Sequence, residues 1–120
     1  MMVAVKGEIS HGLAPLTVHA KSIVNKLTGA PVHFRGINRS GLEYAKPGNE
    51  DFLTAAGITR LDVCTMVQGW NANVIRLPIN QDWALRGCGT QRAECYLDNL
   101  DAVVSWIASA GAYTIIDLHW

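Results

Sequence analysis

The sequence predicts an α/β fold built on a parallel sheet. Two short, nearly continuous apolar runs predict it, residues 73 to 79 (Asn-Val-Ile-Arg-Leu-Pro-Ile) and 113 to 118 (Tyr-Thr-Ile-Ile-Asp-Leu). Such runs mark strands buried on both faces. A helical apolar stripe precedes each one, and the units recur every ~30–40 residues, the βαβ grammar of a parallel sheet. The chain has 120 residues, 49% of them hydrophobic. That suits one globular unit and not a disordered chain.

The elements follow in order. Residues 16 to 24 are rich in β-branched and apolar types and predict extended chain. The turn formers Asn25 to Pro31 come next, and residues 32 to 37 predict a second strand, so the pair reads as a hairpin. A polar loop follows from Asn38 to about Glu50. Thr59 opens a helix, with Asp62 as the partner of a capping box. Val63, Met66, Val67 and Trp70 give the i, i+3, i+4, i+7 stripe. Gly69 and Asn71 suit the left-handed turn that ends it. After the strand at 73–79, a loop runs from Asn80 to Ala93. The last helix spans about Glu94 to Ala110 and closes on Gly111. Residues 1–15 have no assigned element.

Charge removes some function classes. Ten Lys+Arg balance ten Asp+Glu, for a formal net charge of zero. No electrostatic argument favours nucleic acid or an anionic membrane surface. No apolar run approaches the ~18 residues of a membrane span. Met1 to Ser10 carries Lys6 and Glu8 with no apolar core, so no secretory signal is visible. Cys64, Cys88 and Cys95 are too few for a disulfide framework. Cys88 and Cys95 share a loop and could pair in an oxidising compartment, or stay as two thiols. Cys64 reads as a small buried residue.

Parallel sheets place ligands at the carboxyl ends of their strands. Asn38, Arg39, Glu43 and Tyr44 follow the first strand, Asn80 to Trp83 the second, and His119 and Trp120 the third. No Gly-rich phosphate loop is among them. Arg76 stands out, because a guanidinium in an apolar strand needs acceptors. It anchors an active-site carboxylate, or it belongs to an ion pair that only fixes packing. Its partner is either Asp117 or a carboxylate outside this chain. His119 is placed to touch substrate or simply to be hydrogen-bonded. Trp83 and Trp120 can stack on sugar rings or pack the rim. Glu43 invites a role as general acid, but a lone loop glutamate is usually solvated. Trp70, Trp106, His11, His19 and His33 read as structural. Asp117 and His119 alone make weak grounds for a metal, which usually needs three protein ligands.

Four stretches together resemble a known family. They are Thr28-Gly29-Ala30-Pro31-Val32-His33-Phe34-Arg35-Gly36-Ile37-Asn38, then Ala72-Asn73-Val74-Ile75-Arg76-Leu77-Pro78-Ile79, then Tyr96-Leu97 with Val103-Val104, then Gly111-Ala112-Tyr113-Thr114-Ile115-Ile116-Asp117-Leu118-His119-Trp120. In order and spacing they resemble the N-terminal part of glycoside hydrolase family 5, the cellulase family. The resemblance implies a TIM (β/α)8 barrel. Such a barrel takes ~250 residues, so residues 1–120 would be its N-terminal portion: a β-hairpin plus the first three barrel strands.

The resemblance further implies a retaining hydrolase of β-1,4-linked glucan or a related polysaccharide. Two glutamates ~5–5.5 Å apart act as acid/base and nucleophile. They follow strands four and seven of the barrel, and Glu43 and Glu94 match neither motif. Both glutamates would lie beyond residue 120, so the 120 residues alone are expected to be inactive. Arg76 is then the arginine that supports the nucleophile, His119 lines the sugar site beside the cleaved bond, and Asn38 lies near the same floor. The resemblance implies no metal or cofactor, an extracellular setting, and a need for the missing strands or a self-association partner. The loop Asn38-Arg39-Ser40-Gly41 lacks the aromatics of many relatives, and Trp70-Asn71 stands where Trp-Gly is common. Two other readings remain. One is a non-catalytic carbohydrate-binding or interaction module built on half a barrel. The other is an unrelated α/β enzyme using a metal at Asp117 and His119.

Overall fold

The computed structural model describes residues 12–46, 51–86 and 95–120. Strands β1 (Leu16–His19) and β2 (Ser22–Asn25) form an antiparallel hairpin. Strands β3 (Gly36–Asn38), β4 (Val74–Ile79) and β5 (Tyr113–Leu118) form a parallel sheet in the order β3-β4-β5. Between them run helices α1 (Phe52–Ala56), α2 (Arg60–Cys64), α3 (Gln81–Leu85) and α4 (Tyr96–Ala110). The predicted parallel α/β class is the observed one.

Side chains alternate along a strand, so β4 has two distinct faces. Ile75, Leu77 and Ile79 join Val63 and Met66, and Leu100, Val103 and Ile107 of α4, in the main core. The other face carries Val74, Arg76 and Pro78. Tyr113, Ile115 and Asp117 of β5 share that side by register, since Arg76 pairs with Ile115 and with Asn38. The hairpin lies at its N-terminal end. A cavity of about 420 Å³ separates Leu16, Val18 and Ile23 from Phe34, Tyr113 and Ile115. The Tyr113 hydroxyl donates to the Ala14 carbonyl at 2.7 Å across this junction.

The hairpin differs from the sequence expectation. Its turn is at Ala20 and Lys21, with Ala20 at φ 51°, and not at Asn25–Pro31. The latter is a second turn, in which the Asn25 carboxamide accepts from the N–H groups of Leu27 and Thr28. After it the chain does return antiparallel against β2, through the Val24–Pro31 bridge and the Val32 N–H donated to the Ile23 carbonyl at 2.9 Å, but residues 33 to 37 do not continue that pairing. Asn73 draws this segment to the start of β4 instead. Its side chain accepts from the Arg35 N–H at 2.7 Å and donates to the His33 carbonyl at 2.8 Å.

The helices also carry corrections. The capping box at Thr59 and Asp62 is present, with both of its hydrogen bonds. The helix then widens into a π-turn over Thr65–Gly69, where the Trp70 N–H reaches back to the Thr65 carbonyl. That extra residue per turn rotates Trp70 off the apolar stripe. Trp70 is therefore 65% exposed and not a packing residue. Trp106 does pack against the core, with the Arg60 guanidinium over its ring. Two short helices, α1 and α3, lie where the sequence shows no helical signal.

The expectation of strands buried on both faces holds for β4 and fails for β5, which is only half-buried, with Leu118 exposed. Among the described residues β5 has a neighbour on one edge only. Residues 1–11, the Glu94 start of the last helix and Cys88 fall outside the described residues. Cys95 is disulfide-bonded, and Cys64 is a free, half-buried thiol. No helix among the described residues is long and apolar enough to cross a membrane.

Candidate functional site

The carboxyl ends of β3, β4 and β5 bring four sequence-selected residues together. Arg76 sits mid-strand on β4, and its Cα neighbour on β3 is Asn38. The Arg76 Nη1 donates to Asn38 Oδ1 at a long 3.4 Å. Its Nη2 donates to Asp117 Oδ2 in a salt bridge. The same oxygen lies 2.9 Å from His119 Nδ1. Of the two partners left open for Arg76, Asp117 is the one it meets in this chain. The pair stays about a third exposed, at 33% for Arg76 and 29% for Asp117. A fixed cation, an acceptor and an imidazole thus form a continuous polar floor.

An aromatic edge borders that floor. The Trp120 ring lies 5.6 Å from the His119 ring and 6.1 Å from the Tyr44 ring, both edge to face. Trp120 is 60% exposed and Tyr44 63%. Tyr44 has no assigned role in the sequence, where it is one polar-loop residue among several. Its closeness to Trp120 needs the parallel register, which local sequence does not show.

Other candidates lie apart. Trp83 packs on Phe52 at 5.1 Å, and the Arg86 guanidinium covers its ring at 4.4 Å. Glu43 is buried and not solvated, at 4% exposure, and its Oε2 accepts from the Gly41 N–H at 2.7 Å. It serves a tight turn whose second bond runs from the Tyr44 N–H to the Gly41 carbonyl. Arg39, next to Asn38 in sequence, braces the loop against α2. It donates to the Gly57 carbonyl at 2.8 Å and meets Asp62 at 3.5 Å. His19 and His33 are exposed and lie in or near the hairpin, and His11 is outside the described residues. Among the described residues, no group of three or more His, Cys, Asp or Glu side chains is placed to hold a metal.

Tyr96 is the residue sequence reasoning missed, and Asn80, named there only as following the second strand, gains a definite role. In the sequence Tyr96 reads as part of an apolar stripe and Asn80 as the first residue of a loop. In the structure the Tyr96 hydroxyl accepts from the Asn80 N–H at 3.0 Å and donates to the Leu42 carbonyl at 3.0 Å. Burial pushes the Tyr96 phenol above its usual pKa, so it remains a donor across the neutral range.

Comparison with known proteins identifies the family and the fold. The family model described as Cellulase (glycosyl hydrolase family 5) matches residues 26–120. No curated protein matches the chain. Among solved structures, a β-glucanase from Saccharophagus degradans superposes with a TM-score of 0.68 at 20% identity, covering 97% of this chain and 32% of its own. The catalytic domain of Thermobifida fusca endoglucanase gives 0.64 at 20% identity, covering 88% and 30%. A variant of that domain was solved in complex with cellotetraose. An endogalactoceramidase gives 0.64 at 25% identity, covering 85% and 22%. The chain therefore spans about a third or less of the length of these TIM-barrel enzymes. A family match running from the second turn through all three parallel strands, over the polar floor they build, shows that the chain belongs to glycosyl hydrolase family 5, the cellulase family.

Proposed function

We propose that this chain supplies the first β/α steps of a retaining glycoside hydrolase acting on β-1,4-linked glucan or a related polysaccharide outside the cell. The observation that carries this reading is the convergence of Asn38, Arg76, Asp117 and His119 at the ends of three adjacent parallel strands. The Arg76 guanidinium is a fixed positive charge. Beside a nucleophilic carboxylate it keeps that group ionised and oriented. With His119 Nδ1 engaged by Asp117, Nε2 is the nitrogen left for a sugar hydroxyl. The exposed rings of Trp120 and Tyr44 offer apolar faces to the C–H-rich side of a pyranose. Trp83, held between Phe52 and Arg86, contributes to the rim from further out.

The two glutamates of the retaining mechanism come from later strands of the barrel. The 120 residues therefore do not cut glucan by themselves. The test is a reducing-end assay of the purified, monomeric chain on carboxymethyl-cellulose. No turnover is expected, and activity returns only when a second polypeptide carrying the later strands is added. Clear turnover by the 120 residues alone sinks the proposal.

A further inference from the structure

The two exposed rings at the edge of the floor belong to loops far apart in sequence. Tyr44 follows β3, and Trp120 follows β5. Both loops are hydrogen-bonded to one place, the corner where β4 passes into α3. The Asn80 Nδ2 donates to the Glu43 carbonyl at 3.3 Å, one residue before Tyr44. The next residue, Gln81, donates its N–H to the Trp120 carbonyl at 3.1 Å. The Ile79 carbonyl accepts from the His119 N–H at 3.0 Å. Three successive residues thus hold the backbone on either side of the aromatic pair.

The corner itself is pinned. The Asn80 side-chain oxygen accepts from the N–H groups of Asp82 and Trp83 and so caps α3. Tyr96, 2% exposed, is the post behind it, with one hydroxyl joined to Asn80 and to Leu42. Leu42 and Glu43 are neighbours on the loop that presents Tyr44. A single buried phenol therefore ties the β3 loop to the β4 corner, and the corner ties both to Trp120.

We propose that Asn80 and Tyr96 are positioning residues that set Tyr44 and Trp120 as one sugar-stacking face beside His119. Neither touches the ligand. They act by fixing the spacing of the two rings. The ligand class rests on the glucan reading above, whereas the ring spacing does not.

The experiment uses the 120-residue chain and two variants chosen for chemistry over bulk. Tyr96→Phe keeps the buried ring and removes both hydroxyl bonds. Asn80→Asp keeps an oxygen to cap α3 and replaces the donor to Glu43 with an acceptor. Val103→Ala, in the core of α4, serves as a control that lowers stability without touching the corner. The readouts are the nuclear Overhauser contact between the Tyr44 and Trp120 rings and the titration of cellotetraose by calorimetry. The expected result is loss of the ring contact and binding weakened by about fivefold or more in both corner variants. In Val103→Ala the contact stays intact. An unchanged ring contact in both corner variants overturns the inference, as does equal loss in the control. If Tyr96→Phe fails to fold, Asn80→Asp decides alone. Wild-type protein that does not bind cellotetraose, with the ring contact still lost in the variants, leaves the positioning role standing and removes the glucan reading.

Discussion

Arg76 and Asp117 meet diagonally across β4 and β5. The register pairs Arg76 with Ile115 and Asp117 with Pro78, so the guanidinium reaches one pleat forward to find the carboxylate. That offset places the ion pair toward the carboxyl end of the sheet, next to His119.

The pair makes a specific stability prediction. Removing one partner strands a half-buried charge, which costs about 3–5 kcal/mol when burial is complete and far less at the surface. With both side chains about a third exposed, Asp117→Ala should cost about 1–2 kcal/mol. The double variant Arg76→Met with Asp117→Leu should recover part of that loss, since it leaves no unpaired charge. Urea unfolding midpoints of wild type and the two variants check this. A double variant less stable than Asp117→Ala contradicts it.

Much of this arrangement is legible in the sequence, and the rest is not for physical reasons. Strand β4 is visible because both-face burial leaves a continuous apolar run, and β5 is visible from its apolar, β-branched composition although it is only half-buried. Arg76 is visible because a charge inside such a run needs an explanation. The capping box is visible because its spacing is local. The hairpin turn is not, because Ala20-Lys21 has none of the Gly, Asn or Pro that normally marks a tight turn. The π-turn is not, because one inserted residue leaves composition unchanged while moving Trp70 into solvent. The roles of Tyr44, Asn80 and Tyr96 depend on contacts between distant positions, Tyr96 with Leu42 and Tyr44 with Trp120, which no local window contains.

Asp62 gives an acid-dependence prediction. The Thr59 backbone N–H holds its carboxyl below the usual carboxylate range, helped by the Thr59 hydroxyl and by Arg39. A group whose folded pKa is depressed binds fewer protons folded than unfolded. Its stabilising contribution is complete above the unfolded value of ~3.9 and is lost as pH falls through the lower folded value. Asp62→Asn should therefore flatten the decline in urea midpoint below about pH 4. Thr59→Ala should cost about 1 kcal/mol at neutral pH by removing the cap. Identical acid slopes in wild type and Asp62→Asn reject the assignment.

Gly36 tests how closely β3 must approach β4. A Cβ built on Gly36 would lie 2.1 Å from the Val74 carbonyl oxygen and 2.4 Å from Val74 Cγ1. The carbonyl is backbone and cannot rotate away, so any side chain forces the strands apart at their first paired position. That displacement propagates to Asn38, two residues on, whose contact with Arg76 is already long at 3.4 Å. Gly36→Ala should cost roughly 2–3 kcal/mol, the upper part of the overpacking range. It should also shift the amide resonances of Asn38 and Arg76. Gly111→Ala provides the contrast. Its Cβ meets nothing within 4 Å, and only its φ of +99° opposes the substitution. That change should cost about 1–2 kcal/mol through backbone conformation alone, and leave the Asn38 and Arg76 resonances in place. Equal resonance shifts in the two variants would show that the close approach at Gly36 does not set the geometry of the site.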